Sequence, residues 1–263
     1  MNNFTFHRPG TVAEAIALLQ QSDDGKALSG GMSYVPVMKE GLAQPSDVVS
    51  LRGVEEIQGI KEEGGRLVIG AGQTHASVAR SPVVQKAIPS LAALANNIGD
   101  AQVRNRGTIG GSLAHADPAA DYPAAVLALD GIIHTDRRDI PATAFFTGLF
   151  QTVLLPDEII VRVSFAVPQK ANYQKFPHPA SKYAVVGVYV AQHGDGVRVG
   201  VTGAAQNAAR WPAAEQALSG NFSGDALSGL TVPTAALTDD PDFSAAYRAH
   251  LMGVLAKRAV AAA

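Results

Sequence analysis

The sequence predicts a fold that mixes α-helices and β-strands along its length, and three observations support this prediction. Thr11-Val-Ala-Glu14 is a capping box, which predicts the start of a helix with its apolar residues on one face. Residues 158–166 alternate as in a half-buried strand. Residues 183–191 and 197–201 predict a hairpin joined by His193-Gly-Asp-Gly196. The side chains expected on one side of the strand at 158–166 are Ile159, Val161, Val163 and Phe165.

The other predicted elements follow from periodicity and from breaks at proline and glycine. Strands are expected at residues 26–28, 47–51, 66–70 and 132–135. Helices are expected around residues 35–39, at 83–97 with an interruption at Pro89, at 122–129, near 213–218, and from Phe243 onward.

Composition excludes several classes of function. Hydrophobic residues make up 47% of the 263 residues and charged residues 17%, which is typical of a globular protein. The balance of 21 basic and 23 acidic side chains does not favour binding to nucleic acid or to an anionic membrane. No apolar run approaches the roughly 18 residues of a membrane helix, and the N-terminal residues lack a signal-peptide pattern. We therefore expect a cytoplasmic protein without stable membrane insertion.

The absence of cysteine restricts the redox chemistry of the chain. With no cysteine in the sequence, the chain has no disulfide and no thiolates for a conventional iron–sulfur cluster. The seven histidines are scattered without a metal-ligand spacing, so no metal site is predicted. Any iron–sulfur cluster that works with this chain must be bound by another polypeptide.

Two glycine-rich segments are the most informative motifs. They are Ser29-Gly30-Gly31-Met32-Ser33-Tyr34 and Thr108-Ile109-Gly110-Gly111-Ser112. A glycine pair permits a positive φ and close approach of the backbone to a ligand, and successive N–H groups form an anion cradle. One such pair is usually a turn. Two hydroxyl-flanked pairs in one chain predict two loops that close on a diphosphate.

Other nucleotide-binding motifs are absent from the sequence. Gly70-Ala-Gly72-Gln-Thr-His75 begins like a dinucleotide fingerprint but lacks the third glycine. The chain contains neither the phosphate loop of nucleoside triphosphatases nor the nucleophile elbow of α/β-hydrolases. A nucleotide site therefore depends on the two glycine-rich segments.

The complete segments resemble a known family. Residues 27–39, Ala-Leu-Ser-Gly-Gly-Met-Ser-Tyr-Val-Pro-Val-Met-Lys, resemble the first flavin loop of the FAD-binding subunits of molybdenum hydroxylases. Residues 102–123, which begin Gln-Val-Arg-Asn-Arg-Gly and end Ala-Asp-Tyr-Pro, resemble the second loop. This family includes the flavin domain of xanthine dehydrogenase and the medium subunit of aerobic carbon monoxide dehydrogenase. The resemblance is strongest to the latter type and covers nearly the whole chain.

The resemblance implies an α+β fold of the vanillyl-alcohol-oxidase-like (PCMH) type. In this arrangement residues 1–168 form the FAD-binding domain, with subdomains at about 1–55 and 56–168 that hold the cofactor between them. Residues 169–263 form a C-terminal domain, an antiparallel sheet with helices, and Pro168 marks the boundary.

The same resemblance assigns roles to residues of this chain. The two glycine-rich segments bind mainly the pyrophosphate and ribityl chain of FAD. Asp121 contacts the adenosine end, Ile98 lies near the adenine or flavin, Ile160 touches the adenine, and Tyr183 packs on the isoalloxazine ring. No catalytic residue is implied. The complete cofactor-binding set is Ser29, Gly30, Gly31, Met32, Ser33, Tyr34, Ile98, Thr108, Ile109, Gly110, Gly111, Ser112, Asp121, Ile160 and Tyr183.

Several of these residues have a structural alternative. Asp121 is also a candidate N-cap for the helix that begins at Tyr122. Ile98 and Ile160 are equally suited to core packing, and Tyr183 to a strand that faces a helix. These alternatives stay open on the sequence alone.

Residues beside the motifs carry further expectations. Arg104 and Arg106 flank the second segment, where they can neutralise phosphate, face a partner or lie in solvent. His75 and His115 are expected to make local hydrogen bonds. Family members often have lysine at the position of Pro177, and Lys175 and Lys182 are the candidates to replace it. Asp117 is expected in a turn.

The resemblance implies an oxidoreductase subunit that transfers electrons. FAD is bound by this chain, the molybdenum cofactor by a large subunit, and [2Fe–2S] clusters by a small subunit, in a dimer of heterotrimers. Electrons pass from the clusters to FAD and then to an external acceptor. The alternatives are a self-sufficient FAD-dependent oxidase and a scaffold subunit without flavin. The substrate (carbon monoxide, a purine, an aldehyde or an N-heteroaromatic compound) and the acceptor stay open.

Overall fold

Three sheets of three or more strands organise the described chain. The computed structural model describes residues 3–263. The first sheet is parallel, in the order β1-β3-β2. The elements of this unit are β1 (Thr5–His7), α1 (Val12–Gln21), β2 (Gly25–Leu28), α2 (Tyr34–Lys39) and β3 (Asp47–Ser50).

The helix α1 begins at the predicted capping box. Thr11 Oγ1 accepts a hydrogen bond from the backbone N–H of Glu14, at 3.1 Å. Glu14 Oε2 accepts in turn from the backbone N–H of Gly10, at 2.7 Å. Both bonds satisfy backbone N–H donors at the N-terminus of α1. The predicted capping box and helix start are therefore confirmed.

The second sheet is antiparallel, in the order β4-β5-β10-β6-β7, and the helices of this unit lie between β5 and β6 in sequence. Its elements are β4 (Ile60–Glu63), β5 (Arg66–Gly70), α3 (His75–Arg80), α4 (Pro82–Ala87), α5 (Pro89–Asn96), α6 (Ala101–Arg106), α7 (Ile109–His115), α8 (Tyr122–Ala128), β6 (Ile132–Thr135), β7 (Asp139–Pro141), β8 (Phe146–Gly148), β9 (Gln151–Thr152) and β10 (Ile160–Ala166). Strands β8 and β9 form a separate short hairpin.

The third sheet is antiparallel, in the order β11-β12-β13-β14, with two helices on it. Its elements are β11 (Lys170–Pro177), β12 (Ala184–His193), β13 (Gly196–Thr202), β14 (Ala209–Arg210), α9 (Pro212–Gly220) and α10 (Ala245–Ala261). The hairpin predicted between residues 183 and 201 is confirmed as β12 and β13. Short 3₁₀ helices occur at Glu55–Ile57, Ala142–Ala144, Gly224–Leu227 and Thr234–Ala236.

Strand β12 lies between two hydrophobic cores and is buried from Ala184 to Ala191. Because alternate side chains of a strand point to opposite faces, β12 serves both cores. Tyr189 and Ala191 pack into the core around the first two units. The opposite face packs against α9 and α10 through Val186, Val188 and Val190. The C-terminal sheet is thereby attached to the first two units through buried apolar surface.

The alternation predicted at residues 158–166 breaks at a β-bulge in β10. Val163 and Phe165 are fully buried, as expected. Between Ile160 and Arg162 the pairing with β6 shifts, because one strand contributes an extra residue. Ile160, beside this bulge, is buried as well, and Val161 is partly buried and packs against the same core as Val163 and Phe165.

Two elements have no signal in the apolar pattern, and one boundary differs. Helix α6 contains no buried residue and therefore no apolar face. Strand β11 is partly buried on both faces, so its residues do not alternate. The last helix begins after Ser244, whose hydroxyl accepts from the N–H of Tyr247, and not at Phe243. Among residues 3–263, no helix is both long enough and apolar enough to span a bilayer.

Candidate functional site

A cleft with a volume of about 420 Å³ opens where β2 ends. Its walls come from four parts of the chain: residues 26–34, His75, the stretch from residue 98 to residue 121, and residues 181–183. Ligands of open parallel sheets bind beyond the carboxyl ends of the strands, as here beyond β2. The volume lies within the range of about 300–1,000 Å³ that is usual for small-molecule sites.

The two glycine-rich segments meet at this cleft. Thr108 Oγ1 donates a hydrogen bond to Ser29 Oγ at 3.0 Å, and it accepts one from the N–H of Gly111 at 3.1 Å. Gly30 lies directly against the carbonyl oxygen of Arg106, where a Cβ atom would collide. The first segment can therefore approach the second only because residue 30 has no side chain.

The second segment is not a loop. Thr108 is the N-cap of α7, and Gly110 and Gly111 belong to the first turn of that helix. In the first segment, by contrast, Gly31 has a φ of +74°. Of the four glycines in the two segments, only Gly31 fits the expectation of a positive φ: Gly30 does not adopt one, and Gly110 and Gly111 are helical.

Asp121 is buried beside the cleft, with 4% of its surface exposed. It occupies the N-cap position of α8, as the alternative expects, but its side chain makes no capping hydrogen bond. Its Oδ1 accepts from the hydroxyl of Tyr173 at 2.6 Å and from Nζ of Lys175 at 3.0 Å. Burial raises the pKa of Asp121, and the positive charge of Lys175 opposes that rise.

Lys175 does not face the cleft with a free ammonium group. Its side chain is 1% exposed. Besides Asp121, its Nζ donates to the carbonyl oxygens of Asn97 at 2.9 Å and Lys182 at 3.2 Å. Of the two lysines considered as replacements near Pro177, only Lys182 lines the cleft.

His75 forms part of the cleft wall and is 5% exposed. Its Nδ1 has no hydrogen-bond partner among the described residues, so the expected local hydrogen bond of this ring nitrogen is not made. The ring contacts that of Tyr122, with centroids 5.4 Å apart. Burial, and next the charge of Arg104, lower the pKa of His75 to about 4. The imidazole is therefore neutral at pH 7.

Most of the remaining candidates line the cleft. Ile98 and Tyr183 line the cleft, and Tyr183 is 41% exposed. Burial and the charge of Asp117 raise the pKa of the Tyr183 phenol. Met32, Ser33, Tyr34 and Ser112 line the same cleft, together with Ser29, Gly30, Gly31, Thr108, Gly111 and Asp121.

Three candidates lie outside the cleft wall. Ile109 and Gly110 form the buried side of α7, where the N–H of Gly110 donates to the carbonyl oxygen of Ala71 at 2.9 Å. Ile160 is buried in β10 and pairs with Thr135. These positions support the packing of the site, and a direct contact of Ile160 with adenine stays a prediction.

Several residues of the site have no local sequence signal. Tyr173 and Lys175 belong to β11, and Ser181 and Lys182 to the turn before β12, about 50 to 75 residues from the second segment. Only tertiary contacts bring them to Asp121. Within residues 3–263, no group of histidine, cysteine, aspartate and glutamate side chains is arranged to hold a metal ion.

Comparison with known proteins identifies the family. Residues 2–169 match the family described as the FAD binding domain in molybdopterin dehydrogenase. The chain belongs to this family.

Its relatives extend the match over nearly the whole chain. The carbon monoxide dehydrogenase medium chain of Hydrogenophaga pseudoflava is 35% identical, over 99% of this chain and 96% of that one. The nicotine 6-hydroxylase medium subunit of Paenarthrobacter nicotinovorans is also 35% identical, over 96% of this chain and 94% of the relative. A solved structure of carbon monoxide dehydrogenase from H. pseudoflava, which lacks the Mo-pyranopterin moiety, superposes with a TM-score of 0.89. It is 36% identical and covers 100% of this chain and 97% of that one. The α+β fold of an FAD-binding medium subunit is thereby confirmed.

The residues of the cleft fit the cofactor of this FAD-binding family. Ser29, Ser33, Thr108 and Ser112 place hydroxyl groups around the two glycine-rich segments, and such groups hydrogen-bond phosphate and ribityl oxygens. The unpartnered Nδ1 of His75 is a further polar atom in the wall. The chain is therefore the flavin component of an oxidoreductase.

Proposed function

We propose that this chain is the flavin subunit through which electrons leave a molybdenum hydroxylase complex. In this function it receives electrons from [2Fe–2S] clusters of a partner subunit and passes them to an external acceptor. Bound FAD supplies the conversion between one-electron and two-electron transfer. The chain supplies binding, orientation and electrostatics, so none of its residues has to act as a general base.

The observation that carries this proposal is the cleft at which the two glycine-rich segments are joined through Thr108 and Ser29. We assign the pyrophosphate and ribityl chain to the two segments. Asp121 and Ile98 belong to the adenosine end, with Ile160 behind them, and Tyr183 to the isoalloxazine ring. Tyr183 lines the cleft and is 41% exposed, so part of its surface is accessible to a ring bound there.

The proposed partners follow from what the chain lacks. Because it has no cysteine, it cannot bind the iron–sulfur clusters that such electron transfer requires. Several relatives are named medium chains or subunits, which indicates assembly with other chains. We propose a large subunit with the molybdenum cofactor and a small iron–sulfur subunit, in a dimer of heterotrimers. Residues 1–168 and 169–263 are the proposed domains.

The test compares the isolated chain with its complex. The complex is purified through a tag on this chain, and its subunits are identified by mass. It is then mixed anaerobically with carbon monoxide, a purine, an aldehyde and an N-heteroaromatic compound in turn. The compound that bleaches the flavin in the complex is applied to the isolated, FAD-loaded chain.

The proposal expects dithionite, but not that compound, to reduce FAD on the isolated chain. Adding the partner subunits restores reduction by the compound. Rapid bleaching of the isolated chain would contradict the proposal and favour a self-sufficient oxidase. Purification without any iron–sulfur subunit would contradict it as well.

A further inference from the structure

One buried ammonium group binds oxygen atoms of three residues that lie in or next to the cleft wall. Nζ of Lys175 lies within 3.2 Å of three oxygen acceptors: Asp121 Oδ1, the carbonyl oxygen of Asn97 and that of Lys182. An ammonium group has three donors, so this set uses all of them. The side chain is 1% exposed, so water does not compete for these bonds.

Each acceptor either lines the cleft or directly precedes a residue that does. Asn97 immediately precedes Ile98, and Lys182 immediately precedes Tyr183. Ile98, Asp121 and Tyr183 all line the cleft. The backbone at Lys182 has a φ of +64°, a strained conformation for this residue, and its carbonyl is held by the ammonium group.

The carboxylate of Asp121 is held through one oxygen. Both Tyr173 and Lys175 donate to Oδ1. Among the described residues no other side chain donates to Oδ2, and Asp121 lines the cleft. It is therefore the oxygen left to accept from a ligand in the cleft.

We propose that Lys175 is a positioning residue for FAD: with Tyr173 it orients Asp121 so that Oδ2 accepts a hydrogen bond from the cofactor, and it fixes the segments of Ile98 and Tyr183. The residue acts through its neighbours, since its ammonium group is fully used within the protein. The inference rests on the proposed placement of FAD in this cleft. It is independent of the electron-transfer partners.

The test measures the affinity of the full chain for FAD. The chain is freed of flavin and titrated with FAD by calorimetry at pH 6, 7 and 8. In Lys175→Met the dissociation constant rises about tenfold or more, because a buried carboxylate loses its charged partner. Lys170→Met is the matched control, since Lys170 lies on the same strand but its Nζ contacts the ring of Phe222.

The pH dependence distinguishes positioning of the carboxylate from simple packing. Without Lys175, the groups left facing Asp121 are phenols: Tyr122 on its own helix, Tyr173 on β11 and Tyr183 before β12. None of them supplies a positive charge, so the pKa of Asp121 rises further. A protonated carboxyl is a poorer acceptor, and FAD affinity relative to wild type therefore falls as the pH is lowered from 8 to 6. In the Asp121→Asn background, Lys175→Met produces no such pH dependence.

Circular dichroism shows whether Lys175→Met folds. If it does not, a milder variant, Tyr173→Phe, tests the same inference. Tyr173→Phe removes only the hydroxyl and keeps the ring stacked on Tyr189. It weakens FAD binding about two- to fivefold in wild type but not in Asp121→Asn.

Three results overturn the inference. They are an unchanged FAD affinity in Lys175→Met, a loss of affinity that is independent of pH, and a loss of the same size in the Asp121→Asn background. These results leave FAD binding by the wild-type chain intact. A wild-type chain that does not bind FAD would contradict the proposed function instead.

Discussion

The two glycine-rich segments look alike in sequence but use glycine for different physical reasons. In the first, Gly30 allows contact with the backbone of Arg106, and Gly31 adopts a φ of +74°. In the second, Gly110 and Gly111 are helical; Gly110 packs on Ala71, while Gly111 lines the cleft. Similar motifs therefore predict a shared site. Whether a given glycine is needed for a close contact, for a positive φ or for helix packing has to be tested separately at each position.

The largest effect on folding is expected at Gly110. A Cβ atom there would lie 2.6 Å from Ala71 Cβ and 2.8 Å from the Ala71 carbonyl oxygen. We expect Gly110→Val to lower the free energy of unfolding by about 3 kcal/mol, because the buried contact cannot expand. Urea unfolding monitored by circular dichroism measures this. A change below about 1 kcal/mol would show that α7 can move away from Ala71.

One residue further, Gly111→Val should abolish FAD binding while most of the fold is kept. Its Cβ atom would lie 2.9 Å from Thr108 Oγ1, at the junction of the two segments, so the branched side chain fills the space next to the cofactor. Flavin absorbance after gel filtration, together with circular dichroism, measures the two properties separately. Stoichiometric FAD in this variant would contradict the role of the second segment.

A buried histidine, His75, packs at the start of the second segment and makes the stability of the chain depend on pH. The backbone N–H of His75 donates to the carbonyl oxygen of Gly107, and its ring is buried beneath that residue. Its pKa is about 4 in the folded chain, against about 6.5 when unfolded. Between these values the unfolded state binds a proton and the folded state does not, so stability falls as the pH decreases from about 6.5 to about 4.

This linkage predicts a loss of about 2 kcal/mol of the free energy of unfolding between pH 8 and pH 5. Urea unfolding at both pH values checks it, with His75→Gln expected to lack this component. His250→Gln, at an exposed histidine on α10, is the control. An equal pH dependence in wild type and His75→Gln would exclude His75 as the source.

In the first segment, Gly31→Ala should cost about 1–2 kcal/mol, since an L-residue disfavours the left-handed region. The chain offers a matched control in Gly41, which has a φ of +76° but no atom near its Cβ position. At Gly31 the new methyl group would also lie 2.9 Å from Val35 Cγ2. Thermal unfolding should therefore show a larger loss for Gly31→Ala than for Gly41→Ala. Equal losses would mean that Val35 moves freely.

The smallest effect is expected at the bond between the segments. Thr108→Val keeps the shape but removes the hydroxyl that caps α7 and donates to Ser29. We expect a loss of about 1 kcal/mol and a weaker affinity for FAD. Thr74→Val is the control, because Thr74 Oγ1 caps α3 in the same way without a bond to Ser29. If both variants bind FAD equally well, the bond does not hold the cleft together.

Much of the local structure could be predicted because its signals are local. The capping box at Thr11, the helix break at Pro89 and the turn at Gly194-Asp195 each act within a few residues. Helix α6 was not predictable from apolar spacing because it buries none of its residues. The break in the alternation at Ile160 accompanies a shift in pairing with β6, a strand about 25 residues away, and is therefore invisible in β10 itself.

By itself the sequence determined the family, the cofactor and the two glycine-rich segments of the cleft. All three follow from contiguous motifs, whose glycines and hydroxyl groups suit a diphosphate. Only the tertiary structure decided how Asp121 is used. Read locally, it is a potential helix cap, but its partners Tyr173 and Lys175 lie more than 50 residues away. The cost of burying a carboxylate is offset only by donors that the folded sheet brings to it, and no local pattern records which residues those are.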